Sequence, residues 1–306
     1  MQVTLIHNPG AGSTKEKHAE GLIAMLRDAG HEVRYQSSKD DDWDKVLKAP
    51  ADLVVVAGGD GTVSRVAKRL VGAGIPLAPL PCGTANNISR SLGLVDRPFE
   101  ELVRGWPQAR RVKLDVGVAE GPWGRRYFVE GLGIGLFASL LARDPKEKLP
   151  KFDKPQDTIA HALERMKQGV QSADPIALKA SLDGKDISGR YLLLEAVNIL
   201  YVGPSLFLAP DSKPGDGFLD VVLVTEAERD RLRNYLAQWQ DNKQRLAVLP
   251  SHRGKHLSIE WTGFQLHIDD KLWPKHGKKA PAPPGRIEAR LEGASVEFLA
   301  PSQSKA

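Results

Sequence analysis

One cysteine, Cys82, stands in 306 residues, so no internal disulfide is available and the fold must hold by packing alone. Aromatic residues make up only 6%. No stretch approaches the roughly 20 apolar residues that a membrane span needs. The most hydrophobic one, Tyr191 to Pro210, is interrupted by Glu195, Asn198, Gly203 and Pro204, so any membrane contact is expected to be peripheral. Zinc-finger spacing, an RNP-like aromatic motif and a basic helix with interleaved aromatics are all missing, which leaves nucleic acid as the weakest partner and predicts none. Also missing are the P-loop GxxxxGK[ST], which Gly10-Ala11-Gly12-Ser13-Thr14-Lys15 resembles only superficially, and the HRD set of protein kinases. The start, MQVTLIHNPG, reads as a strand with no basic n-region or cleavage site, and with the lone cysteine it points to the cytoplasm.

What is present is a globular composition, 41% hydrophobic and 26% charged. A chain of this length fits two domains of about 120 to 180 residues each. The net charge of +5 suits an anionic partner, whether nucleotide or lipid headgroup, without choosing between them. The sequence leaves the oligomeric state undetermined.

The first 118 residues alternate short β-branched runs with helical periods, the pattern of parallel strands joined by crossover helices. Strands are predicted at Val3 to His7, Glu32 to Tyr35, Leu53 to Ala57 and Leu77 to Leu80, with helices at Thr14 to Asp28 and Val63 to Val71. Residues 119–306 read instead as short strands, including Ile176 to Ser181, Tyr191 to Asn198, Leu219 to Val224 and Leu257 to Trp261. The expected fold is an α/β, Rossmann-like nucleotide-binding domain over 1–118. A mainly antiparallel β-sandwich follows over 119–306, and its last strand, Ala294 to Leu299, is free to return to the first domain.

Between a buried strand and a helix lies Gly58-Gly59-Asp60-Gly61-Thr62. Glycines there let the backbone curl tightly and bring N–H groups against a phosphate, at a helix N-terminus whose dipole favours anions. The competing reading is a plain strand-to-helix turn in which Asp60 caps the helix. An aspartate among phosphate-approaching amides would be repelled by the phosphate unless Mg²⁺ or a substrate hydroxyl stood between, which favours the phosphate site. His7 and His267 alternate with strand residues and read as structural. Cys82 reads as a small buried hydrophobe.

About twenty residues after GGDGT comes Pro81-Cys82-Gly83-Thr84-Ala85-Asn86-Asn87-Ile88-Ser89-Arg90. The pair is similar to the GGDGT and PxGTxNDxAR motifs of diacylglycerol, sphingosine and related lipid kinases. Asn8-Pro9-Gly10-Ala11-Gly12 resembles the family's first turn, Val112 to Gly117 its rxxDLG strand, Gly131 to Phe137 its glycine-rich start of the second domain, and Ala209 to Asp220 its APxAxxxDGxLD loop. The chain is thus identified as resembling the diacylglycerol kinase catalytic family. The resemblance implies a lipid substrate with a free hydroxyl, ATP and Mg²⁺. It assigns nucleotide contacts to Asn8, Pro9, Gly10, Ala11 and Gly12, to Ser38, to Gly58, Gly59, Asp60, Gly61, Thr62, Val63, Ser64 and Arg65, and to Gly83, Thr84, Asn86 and Asn87. It assigns Mg²⁺ to Asp216 with the carbonyls of Lys213 and Phe218, and to the network of Asp115.

Two positions depart from the family pattern. Asn87 replaces the aspartate of GTxND, and Lys271 stands where the family's DGE motif has the glutamate that accepts the proton. Asp60, Asp269 and Asp270 are the expected substitutes for that base. The alternatives are a noncatalytic nucleotide- or lipid-binding homologue and an NAD kinase-like enzyme. Two basic stretches, Arg143 to Lys154 and the loop carrying Lys271, Trp273, Lys275, Lys278 and Lys279, are candidates for contact with the inner face of an anionic membrane.

Overall fold

The computed structural model describes residues 1–11, 18–142, 150, 152–241, 248–274 and 282–302. The chain divides into two compact units, Met1–Val116 with Ala294–Ala306, and Gly117–Gly293. In the first unit the order is β1 (Gln2–His7), α1 (Ala19–Asp28), β2 (Glu32–Ser37), β3 (Leu53–Gly58), α2 (Asp60–Leu70), β4 (Leu77–Pro81), α3 (Asn87–Ser91), α4 (Phe99–Gly105) and the first part of β5 (Arg110–Gly121). Strands β2, β1, β3 and β4 pair in parallel in that spatial order. Every residue of β3 is buried, which is what a parallel strand covered on both faces requires and why it reads as the unbroken run Leu53-Val54-Val55-Val56-Ala57. Helix α2 buries Val63, Val66, Ala67 and Leu70, the spacing of one helical face. It begins at Asp60, three residues before the predicted Val63, because the glycine turn leads directly into its first turn.

The second unit contains β6 (Gly124–Phe128), β7 (Gly131–Gly135), α5 (Leu136–Leu141), α6 (Pro155–Ser172), β8 (Ile176–Leu178), β9 (Ala180–Leu182), β10 (Lys185–Asp186), β11 (Gly189–Val197), β12 (Leu219–Thr225), α7 (Arg229–Asp241), β13 (Ser251–Gly254), β14 (His256–Trp261), β15 (Leu266–Ile268), β16 (Lys271–Trp273) and most of β17 (Gly285–Ala300). A wholly antiparallel sheet has the order β13-β12-β11-β7-β15-β16, with β8 also on β11. Strands β10, β9, β14 and β17 form a second antiparallel set. Leu132, Leu194, Val221, Ile259, Trp261 and Leu266 share one buried cluster, the core of a β-sandwich. At its far end β17 enters the first unit, where Phe298 pairs in parallel with Leu77 of β4.

Two segments differ from expectation. The run Ile176 to Ser181, predicted as one strand, breaks at Lys179 into β8 and β9, which pair with β11 and β14 respectively, because alternation alone does not reveal a change of partner. Within Gly131 to Phe137, read as the glycine-rich start of the second domain without a secondary-structure assignment for its glycines, Gly131–Gly135 is β7, a strand flanked by β11 and β15. Among the described residues no helix is long and apolar enough to cross a membrane.

Candidate functional site

In the first unit the C-terminal ends of β1, β2, β3 and β4 deliver His7, Ser37, Gly58 and Pro81 to one end of the parallel sheet. That end is where open α/β sheets place their ligands. The turn after β1 is fixed by Asn8: its Oδ1 accepts the Gly10 N–H at 3.1 Å, its carbonyl accepts Ala11 N–H at 2.9 Å, and its Nδ2 donates to Thr62 Oγ1 at 3.2 Å. Asn8 therefore ties the first turn to the helix that follows the glycine loop. Gly12 lies outside the described residues.

The two glycine motifs meet backbone to backbone. A Cβ built on Gly83 would stand 2.5 Å from the Cα of Gly59, so no side chain fits at this crossing. Asn86, at φ 51°, closes the second loop on itself: its Oδ1 accepts Gly83 N–H and its Nδ2 donates to the Gly83 carbonyl, both at 2.8 Å. Asp60 joins the loops from the other side, its Oδ1 accepting the Ile88 N–H at 2.9 Å. The Asp60 side chain therefore does more than the plain-turn reading required. It links α2 to α3.

Arg65 donates to the Ser38 carbonyl at 2.7 Å and lies 4.5 Å over the Trp43 ring. Ser38 is buried, and its hydroxyl has no hydrogen-bond partner among the described residues. An orphaned buried hydroxyl after β2 and a loop crossing where neither Gly59 nor Gly83 admits a Cβ without a shift both fit a phosphate-bearing ligand at this end of the sheet. Pro9, Gly10, Gly61 and Thr84 are exposed, whereas Thr62, Val63 and Ser64 turn inward against the sheet, as do Asn86 and Asn87. Asp115 is buried on β5 within the same unit.

The second unit holds the remaining candidates. The expected metal ligands after β11 do not fit a divalent ion: Asp216 Oδ1 accepts the Phe218 N–H at 3.0 Å, its Oδ2 is paired with the Arg253 guanidinium, and the Lys213 carbonyl accepts the Asp216 N–H at 3.3 Å. Asp115 belongs to the other unit. No group of His, Cys, Asp or Glu side chains able to hold a metal occurs among the described residues. Burial pushes the carboxyl of Asp220 up, against a hydrogen bond with Ser212 and the nearby charge of Arg253.

At the turn between β15 and β16 the three residues expected to matter have separate fates. Asp269, at φ 49°, is buried, and its Oδ1 accepts N–H groups from Val129, Glu130 and Gly131 at 3.1, 2.8 and 3.3 Å. A carboxylate held by three amides staples the turn to residues 129–131. Asp270 and Lys271 are exposed and pair with each other at 2.6 Å. Lys275, Lys278 and Lys279 lie outside the described residues, as does most of the Arg143 to Lys154 stretch.

Beneath that turn lies a pair that local sequence does not reveal. His267 Nδ1 is 2.9 Å from the Asp269 carbonyl, and its Nε2 is 2.9 Å from Oε1 of Glu195, which is 1% exposed. Both ring nitrogens face acceptors, an arrangement that favours the imidazolium. Burial lowers the tendency of His267 to protonate, but the Glu195 charge and hydrogen bond, with the Asp269 carbonyl, outweigh it and raise the pKa. Gly133 makes room: a Cβ there would lie 1.9 Å from Glu195 Oε1.

Residues 2–119 match the diacylglycerol kinase catalytic domain, and residues 156–287 match the YegS C-terminal NAD kinase beta sandwich-like domain. A diacylglycerol kinase of Mycobacterium tuberculosis is 25% identical over 280 residues, covering 88% of each chain. A Pseudomonas aeruginosa protein named "Probable lipid kinase YegS-like" is 28% identical over 227 residues, covering 72% of this chain and 70% of its own. Among solved structures, a diacylglycerol kinase from Bacillus anthracis superposes with a TM-score of 0.67 at 20% identity, covering 98% of this chain and 96% of that one, a likeness of fold.

Proposed function

We propose that this chain, which belongs to the diacylglycerol kinase catalytic family, is a lipid kinase that moves the γ-phosphoryl group of ATP onto a lipid hydroxyl, a diacylglycerol-like acceptor standing first. The observation that carries the reading is the crossing of Gly59 and Gly83, with Asp60 bridging the two loops. The crossing holds the glycine turn and the second loop together at the C-terminal end of the parallel sheet, where the nucleotide phosphates would sit. Mg²⁺ brought in with ATP would neutralise charge on the β- and γ-oxygens.

In the transfer the acceptor oxygen bonds to the γ-phosphorus, the bond to the β-γ bridging oxygen breaks, and the hydroxyl proton leaves to a carboxylate or to water. The transition state is loose, so positioning and electrostatics do most of the work and a strong base is not required. That tolerance accommodates Lys271 in place of a glutamate. Asp60 is the carboxylate of the loop and the candidate to organise Mg²⁺ or take the proton. Exposed Lys271, with Trp273 and Arg126 stacked at 4.7 Å, supports peripheral contact with an anionic bilayer at the inner face of the membrane.

The test is ATP turnover against diacylglycerol, a long-chain base, phosphatidylglycerol, a polyol and NAD, with the product identified by mass. A phosphorylated lipid is the expected product. NADP formed faster than any lipid phosphate would assign the chain to the NAD kinases, the reading suggested by the name of the second matched domain. A wild type that binds ATP-Mg²⁺ yet is inert to every acceptor, while Lys271→Glu gains activity, would make it a nucleotide-binding homologue.

A further inference from the structure

We infer that the guanidinium of Arg253 is the resident cation of the loop before β12, standing where a divalent metal is implied, so that the fold of residues 209–220 is independent of Mg²⁺. Arg253 sits on β13 directly opposite Asp220 in the antiparallel ladder, so the register of the sheet delivers its side chain to the loop. There it pairs with Asp216 Oδ2 and places its Cζ 4.2 Å over the Phe218 ring. Lys255, two residues on, holds its Nζ 4.9 Å from the same ring. Ion pair and ring fix the guanidinium from two sides, the planar group's preferred use.

Mg²⁺ takes six oxygens, several of them waters, around at least one carboxylate whose oxygens are free to bind it. The expected set around this loop offers one carboxylate, whose oxygens are engaged by Arg253 and the Phe218 amide, and the carbonyls of Lys213 and Phe218, the former bonded to the Asp216 amide. Two fixed positive charges next to that set would further repel an incoming Mg²⁺. Arg253 pairs with Asp216 and lies near Asp220, so the chain itself supplies positive charge to the acidic residues here. This stands apart from the kinase reading, because it concerns the loop's own stability in the absence of nucleotide.

The experiment is thermal unfolding of the whole chain without nucleotide, in EDTA and in millimolar Mg²⁺. The wild type is expected to unfold at the same temperature in both. Arg253→Gln is expected to lower Tm in EDTA by about 2 to 4 °C, the shift of one modest interaction in a chain of this size. Part of that loss should return with Mg²⁺, and adding Asp216→Asn should abolish the return. Arg253→Lys, which keeps the charge, guards against a variant that fails to fold and is expected to retain the Mg²⁺-insensitive Tm. A wild-type Tm that rises with Mg²⁺ and stops doing so in Asp216→Asn overturns the inference. So does an Arg253→Gln that melts like the wild type in both buffers.

Discussion

Asp60→Asn is expected to reduce kcat for phosphoryl transfer by about 10²- to 10⁴-fold, the range associated with a lost proton acceptor or charge at the reacting centre. The unfolding temperature should stay close to that of the wild type. The change is nearly isosteric, and an asparagine Oδ1 can still accept the Ile88 N–H now bonded at 2.9 Å, so the link between α2 and α3 survives. What disappears is the negative charge at the start of α2. Asp60→Ala separates the two roles, since it also orphans that amide, at a cost of about 1 to 3 kcal/mol if the group stays buried. Steady-state kinetics beside calorimetric unfolding checks both. An Asp60→Asn enzyme with wild-type kcat would remove the carboxylate from the chemistry and leave it a purely structural bridge.

Glu195→Ala is expected to be the most destabilising single substitution in the second unit, by about 3 to 5 kcal/mol, the usual cost of stranding a buried charge. Its partner His267 lies with Nδ1 against the Asp269 carbonyl and would be left with a buried Nε2 and no anion. Glu195→Gln should be much milder, because the amide can donate to a neutral ring. The pair also sets a pH dependence. With the folded pKa of His267 raised above its unfolded value near 6.5, its stabilisation is complete below that value and fades as pH rises through the folded pKa. Chemical denaturation across neutral to alkaline pH should show this decline in the wild type and lose it in Glu195→Gln. Equal slopes in the two proteins would refute the imidazolium assignment.

The pair also shows where sequence reading ends. GGDGT and the GTANN loop are legible because turn chemistry is local: glycine, aspartate and asparagine at fixed spacing speak for their own backbone. The Gly59 to Gly83 contact was implicit in two adjacent parallel strands. His267 and Glu195, 72 residues apart, meet only because β15 and β11 both flank β7. Arg253 reaches Asp216 through a cross-strand register that no motif encodes. Asp269 read as a candidate base because it is a carboxylate close to Lys271, the position of the family's glutamate, whereas its bonds to the amides of Val129 to Gly131 come from a segment far away in sequence. The glycines of β7 read only as the glycine-rich start of the second domain, because the reason for Gly133 is a carboxylate on the neighbouring strand.

The return of β17 to the first unit has a temporal consequence. Phe298 lies beside Leu77 in the parallel sheet, more than two hundred positions later in the chain, and the whole of the other unit, Gly117–Gly293, is built between them. A ribosome making this protein exposes β4 long before its neighbour exists. Until residues 294–300 emerge, the edge of the nucleotide-side sheet is an open row of backbone donors and acceptors, the kind of surface that recruits stray strands. Closure of so distant a contact is slow in principle. The sandwich-side strands of Gly117–Gly293 can pair first, and the sheet that carries the glycine loops is then completed last, although it is translated first.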